Sequence, residues 1–263
     1  MYKIGFIGCG NMGSAMLRGV VSKGDVAPSD IIVAEPLQEK ADAVAAEFGV
    51  NVTTDNTVAA QSELLVLAIK PQVYAVVLEG LSEALGPDTL LLSLAPGKTL
   101  AYLAEATKCT RITRLMPNTP AAVGEGMTSV VYNDACTEAD KQAVMDFVTS
   151  FGRAQVIPEH LIDAATAIAG CSPAYVYMFI EAMADAAVIE GMPRAQAYQY
   201  AAQAVLGSAK MVIESGKHPA ELKDAVCSPG GTTIAGLRAL EKAGFRSAVI
   251  EGLEATCEKA RNL

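Results

Sequence analysis

Through the first part of the chain, short and almost unbroken apolar runs alternate with stretches of helical periodicity. Residues 3–7, 31–34, 64–68 and 89–93 lack the apolar-polar alternation of a strand with one wet face. Runs of this kind suit strands of a parallel sheet that is covered on both faces. Residues 14–23, 38–48 and 73–85 carry helical spacing between them, and 50–53 adds a short strand. Strand and helix in alternation predict a doubly wound α/β sheet. Residues 111–116 and 127–132 read as further strands, 138–149 as a helix, and 154–157 as the last strand signal.

Beyond Pro158 the pattern changes to helix throughout. This predicts two domains, 1–157 with the sheet and 158–263 all helical. Ser172 followed by Pro173 reads as a cap with proline at the first helical position, opening a helix that Gly191 and Pro193 end. That helix is apolar on nearly every face (Tyr175, Val176, Phe179, Ile180, Met183), and so is the next, residues 194–214. A helix apolar all round is buried all round, and a domain of this size is too small to bury two of them. The expectation is a homodimer through these helices, the alternative being one helix buried against the first domain. Glu181 and Asp185 argue against a membrane span. Residues 218–226 read as a short helix and 248–261 as a last one, capped by Ser247.

Composition narrows the classes. The 263 residues are 51% hydrophobic and 19% charged with a net charge of −9, and no basic stripe stands out, so neither nucleic acid nor an anionic membrane is an expected partner. Six scattered cysteines without a C-x-x-C pair, and only His160 and His218 to join them, point to reduced thiols in a cytoplasmic protein with no metal site. No charged n-region and long apolar run precede Cys9, so a signal peptide is not expected.

The first strand leads into Gly8-Cys9-Gly10-Asn11-Met12-Gly13, a G-x-G-x-x-G between a strand and a helix. Gly8 serves the tight turn, Gly10 lets the backbone approach a pyrophosphate, and Gly13 lets the helix pack on the strand. Glu35 ends the second strand, about 20 residues on, where an acid binds the adenosine ribose hydroxyls and repels a 2'-phosphate. Glu35 alone therefore leans toward NADH; its alternative is a surface carboxylate before Pro36. Ligands of such sheets sit beyond the carboxyl ends of the strands, which directs attention to Ile69-Lys70-Pro71 and to the loop at Ala95. Asn118 and Thr119, flanked by prolines, either face the nicotinamide or make a rigid turn.

In the second half, Cys227-Ser228-Pro229-Gly230-Gly231-Thr232-Thr233 precedes the helical residues 234–243. Two glycines free the backbone, Pro229 stiffens the approach, and the threonines stand where an N-cap belongs. The loop is either an ordinary cap or an anion seat at the positive end of a helix.

Together, Gly8-x-Gly10-x-x-Gly13, Ala68-Ile69-Lys70-Pro71, Met116-Pro117-Asn118-Thr119-Pro120, Gly170-x-x-Pro173-Ala174-Tyr175 and above all Ser228-Pro229-Gly230-Gly231-Thr232-Thr233-Ile234-Ala235 resemble, across the whole chain, the pyrroline-5-carboxylate reductase family. The resemblance implies a Rossmann-like domain with a helical dimerisation domain, dimers that assemble further into rings, and reduction of a cyclic imino acid to proline. It implies that Ser228, Gly230, Gly231, Thr232 and Thr233 hold the substrate carboxylate, with Thr233 nearest the chemistry. It implies cofactor contacts at Gly8, Cys9, Gly10, Asn11, Met12, Gly13, Asn56, Ala68, Ile69, Lys70, Pro71 and Ala95, to which the residue pattern itself adds Glu35 and Asn118. The implied cofactor is NADPH, with NADH as the alternative that Glu35 favours. Cys171 stands where serine is common, and Ala225 where some relatives have asparagine. The rival readings are a beta-hydroxyacid type dehydrogenase, for which neither Lys210 nor Lys223 has the right setting, and a non-catalytic dinucleotide-binding regulator.

Overall fold

Strand β1 (Ile4–Ile7) is buried at every position, and its side chains divide between two cores. Phe6 enters the cluster beneath the helices that follow β1 and β2, while Ile7 enters the opposite cluster with Leu67, Leu78 and Leu91. The other central strands divide in the same way, Val66 and Leu92 to the first cluster and Leu65 and Leu91 to the second. Two apolar faces per strand explain the unbroken apolar runs. Each fully buried Leu, Ile or Phe contributes about 1.5–3 kcal/mol over an exposed one.

The computed structural model describes residues 1–261. After β1 come α1 (Asn11–Lys23), β2 (Ile31–Ala34), α2 (Gln38–Phe48), β3 (Asn51–Thr53), α3 (Asn56–Ala60), β4 (Leu64–Leu67), α4 (Tyr74–Leu81), β5 (Leu90–Ser93), α5 (Leu100–Thr107), β6 (Arg111–Met116), β7 (Gly126–Tyr132), α6 (Glu138–Val148) and β8 (Gly152–Val156). Among the described residues they build one eight-stranded sheet, in the order β3-β2-β1-β4-β5-β6-β7-β8. Strands β1 to β6 are mutually parallel; β7 runs antiparallel to β6 and β8 parallel to β7. The first six have the Rossmann order, with the topological switch between β1 and β4.

The remaining elements are helical: α7 (Ile162–Ala165), a π-helical stretch Thr166–Cys171, α8 (Ser172–Ile189), α9 (Arg194–Ser215), α10 (Pro219–Ala225), α11 (Thr232–Lys242) and α12 (Phe245–Arg261). The chain divides into two compact units, one of Met1–Cys171 with the C-terminal segment from Cys257, the other of Ser172–Thr256. The change to an all-helical pattern after Ile157 therefore does not coincide with the division into compact units. Residues beyond Ile157 stay with the sheet because Glu159 accepts from the Leu100 N–H at 2.8 Å and pairs with the buried Arg114 at 2.7 Å.

Several expected boundaries shift. Ser172 does not open a helix from outside, because it lies inside a run of helical backbone that begins at Ile162. Pro173 lacks the N–H that would bond the carbonyl four residues back, Ala169, and the widened π turn with an outside donor accommodates the gap. The helix expected over 73–85 ends at Leu81, and the last helix starts at Phe245, so Ser247 does not cap it. His218 does cap α10, its Nδ1 accepting from the Ala220 N–H at 3.2 Å with Pro219 at the first helical position.

In the second unit, α8 and α9 form an antiparallel pair connected through the turn at Gly191. Tyr175 hydrogen-bonds Thr256, and Phe179 packs on Phe245. Their apolar surface is largely uncovered in the single chain: only Ala184 on α8 and Ala197 and Ala201 on α9 are buried, whereas Met178, Tyr200, Leu206 and Ile213 are exposed. The helical stretch Glu159–Ile189 is long and apolar enough, by length and composition, to cross a membrane. Glu181 and Asp185 lie within it.

Candidate active site

The glycine loop folds as its sequence demands. Gly8 has φ +85°, and a Cβ there would meet Ala68 O at 2.9 Å, so only glycine fits both the torsion and the space. At Gly13 a Cβ would meet Gly8 O at 2.9 Å, which keeps α1 close against the loop. Nothing stands within 4 Å of a Cβ built on Gly10. The middle glycine therefore faces open space, as a cradle for a pyrophosphate requires. Helix α1 starts at Asn11 with Gly10 as its cap, earlier than periodicity indicated, so Asn11, Met12 and Gly13 form its first turn. No acidic residue lies in that turn, and its positive end is left for an anion.

Glu35 turns inward instead of into solvent. Its residue is 9% exposed, and Oε2 accepts from the Cys9 N–H at 3.3 Å. A carboxylate thus stands against the glycine loop where a ribose hydroxyl would be read. The Cys9 thiol lies 3.4 Å from Ser14 Oγ, and burial, with Glu35 adding to it, pushes its pKa up. All six cysteines carry free thiols.

The same edge gathers the other expected cofactor residues. Gly8 N–H bonds Ala34 O at 2.9 Å and Ala68 N–H bonds Ile7 O at 3.0 Å, holding the carboxyl ends of β1, β2 and β4 together. Ala68 and Ile69 are half-buried beside Gly8, while Lys70 and Pro71 are exposed. Ala95 is buried just past β5. Asn56, half-buried, opens α3, whose cap is Asp55. The Asp55 carboxyl is held below its usual range by hydrogen bonds from Thr57.

Asn118 is engaged differently. Its Oδ1 accepts from the Met127 N–H at 2.8 Å, and its Nδ2 donates to Ala169 O at 2.9 Å, the carbonyl four residues before Pro173. The side chain is a buried latch between the loop after β6, the start of β7 and the π turn, so a cofactor contact there would run through its backbone. Asn118→Ala removes the side-chain partner of a half-buried carbonyl and a half-buried N–H, and is expected to lower unfolding free energy by about 1–3 kcal/mol in all. Chemical denaturation of the two proteins measures this.

The Ser228 to Thr233 loop is a turn followed by a bare helix end. Gly231 N–H bonds Ser228 O at 3.0 Å around Pro229 and Gly230, and Gly230 has φ +70°. Proline then glycine with a positive φ is the signature of a type II turn. The threonines do not cap α11: Gly231 is the N-cap, and Thr232 and Thr233 are the first two helical residues. The turn spends the Gly231 N–H and sets the helix to begin at once, one to two residues ahead of the cap that the sequence suggests. The N–H groups of Thr232, Thr233 and Ile234 have no intrahelical acceptor, and both hydroxyls belong to exposed residues beside them. This arrangement can bind a carboxylate.

Among the described residues no group of three His, Cys, Asp or Glu is placed to hold a metal ion. A crevice of about 740 Å³ opens at the amino ends of the strands, beside Ile4, Leu64 and Leu90, on the edge opposite the glycine loop. Sequence reading missed the groups under the loops, Tyr74 with Ser93, and Arg114 with Glu159, because an apolar helix face counts tyrosine as core and a lone glutamate carries no pattern.

Residues 159–263 match the model of pyrroline-5-carboxylate reductase dimerisation, and residues 3–97 that of NADP oxidoreductase, coenzyme F420-dependent. The chain is 51% identical to pyrroline-5-carboxylate reductase of Escherichia coli, over 99% of this chain and 98% of that one. It is 41% identical to the enzyme so named from Methanosarcina acetivorans, over 99% and 97%. Among solved structures, a pyrroline-5-carboxylate reductase from Coxiella burnetii superposes with a TM-score of 0.93 at 32% identity, covering 99% of this chain and 98% of that one. The Plasmodium falciparum pyrroline carboxylate reductase with NADP bound gives 0.88 at 35%, covering 99% and 97%.

Proposed function

The chain belongs to the pyrroline-5-carboxylate reductase family, and from that premise we propose how its residues reduce the cyclic imine of 1-pyrroline-5-carboxylate to L-proline. A reduced nicotinamide dinucleotide, when bound, supplies a hydride to the imine carbon; the imine nitrogen takes a proton, and the C=N bond becomes C–N–H. The chain's task is alignment of two ligands and fixation of one anion, which needs no histidine. Gly8 to Gly13 cradle the pyrophosphate, and Ala68 to Pro71 with Ala95 flank the dinucleotide. The N–H groups of Thr232 and Thr233, with Ser228, Gly230 and Gly231 shaping the turn, hold the substrate carboxylate. Thr233 Oγ orients or relays the proton to nitrogen. The bare end of α11 behind the Pro229-Gly230 turn is the observation that carries this reading.

Cofactor choice rests on Glu35. The resemblance implies NADPH, but a buried carboxylate on the Cys9 N–H repels a 2'-phosphate by on the order of a few kcal/mol and favours a ribose hydroxyl. NADH is the cofactor we infer. Initial rates with the two side by side are expected to give a kcat/KM for NADH at least about tenfold above that for NADPH, and Glu35→Ser is expected to erase most of the gap, since about 1.4 kcal/mol is a factor of ten. A native preference for NADPH would remove Glu35 from the specificity account.

The chain forms a homo-oligomer through its C-terminal helices, in line with the dimerisation match. A homodimer that assembles further into a ring, in the cytoplasm, completes the proposal.

A further inference from the structure

We propose that Tyr74 is a positioning residue for the dinucleotide: its hydroxyl ties the carboxyl ends of β4 and β5 and thereby sets the two loops between which the cofactor lies. The proposal rests on the dinucleotide reading of those loops. Tyr74 is fully buried at the first turn of α4, with its ring in the core that Leu67, Leu78 and Leu91 share. Its hydroxyl donates to Leu67 O at 3.1 Å and lies 3.1 Å from Ser93 Oγ. Ser93 Oγ in turn accepts from the Ala95 N–H at 3.4 Å.

The location gives this cluster its meaning. Leu67 opposite Ser93 is the last register pair of β4 and β5, and the bond beyond it, Leu94 N–H to Leu67 O, is stretched to 3.4 Å. Backbone pairing fades where the cofactor loops begin, and the tyrosine hydroxyl takes over. One loop, residues 68–73, leaves from Leu67 and returns at Tyr74, so the bond from Tyr74 to Leu67 O closes it at its base. The other begins at Leu94 and Ala95, next to the same hydroxyl. A buried hydroxyl that only filled a gap would have no reason to sit between the two exits. Burial pushes the phenol up to about 12. It therefore remains a neutral donor throughout the pH range of the reaction.

The same two strands carry an internal control. At their amino ends Thr89 Oγ1, also buried, donates to Ser62 O at 3.0 Å, a comparable tie far along β5 from the loops. Tyr74→Phe, Ser93→Ala and Thr89→Val each remove one such hydroxyl from the full chain. The experiment measures cofactor Kd by NADH fluorescence, steady-state kcat and KM, and thermal unfolding for all three. Tyr74→Phe and Ser93→Ala are expected to raise Kd and KM for the cofactor about three- to tenfold, the size of one lost hydrogen bond, with kcat at saturating cofactor within about twofold. Thr89→Val is expected to lower Tm and leave cofactor KM unchanged. Cofactor binding by Tyr74→Phe and Ser93→Ala equal to that of the native chain overturns the proposal, as does equal weakening by Thr89→Val. A native chain that binds neither NADH nor NADPH overturns the dinucleotide reading itself, and the proposal with it.

Discussion

Replacing Thr233 by alanine is expected to lower kcat/KM for 1-pyrroline-5-carboxylate by about ten- to a thousandfold, the range for loss of one positioned transition-state contact. Thr233 is the second residue of α11 and exposed, so its hydroxyl supports no packing and the helix tolerates alanine well. The loss falls mainly on kcat if Oγ serves the proton at nitrogen, and mainly on KM if it only helps to hold the carboxylate. Thr233→Ser, which keeps the hydroxyl, is expected to retain most of the activity. Steady-state rates for the three proteins check this, and unchanged turnover in the alanine variant sinks the assignment.

The second large effect concerns the subunit contact. Leu206 and Ile213 lie on α9 at 55% and 53% exposure in the single chain, two turns apart on one face. Glutamate at both positions puts two charges where a second copy would bury apolar surface, and an unpaired buried charge is costly. The double variant is expected to sediment as a monomer with unchanged helix content. Its kcat/KM falls about a hundredfold or more, since small misplacements around the reacting atoms cost that much. The physical reason lies at the Ser228 to Thr233 loop, which is open to water in one chain. In water an anion seat of backbone dipoles is weak, and it gains strength when water is excluded. A fully active monomer would contradict this, and sedimentation with parallel assays decides it.

The fold was legible where each residue's local preference agreed with its tertiary setting. The unbroken apolar strands announced a sheet covered on both sides, and Gly8 has the positive torsion, and Gly13 the close backbone approach, that only glycine allows there. Glu35 could be placed at the end of its strand but not oriented; only the fold shows that its carboxylate bends onto the Cys9 N–H. Asn118 was ambiguous for a related reason. A carboxamide flanked by prolines has no pattern that names its partners, and those partners, Met127 and Ala169, are set by strand register and by a proline far along the chain. The π turn was invisible because periodicity over six residues does not separate it from α. At Pro229-Gly230-Gly231 the residues named the turn correctly and misplaced the cap by one or two positions, since the glycines allowed either start.

The most direct measurement mixes the purified chain with 1-pyrroline-5-carboxylate and reduced cofactor, following cofactor absorbance and proline together. NADH is expected to be consumed in step with L-proline formation, one for one, and far more slowly by the Thr233→Ala protein. A chain that binds the dinucleotide yet leaves it unoxidised in the presence of the imine would contradict this.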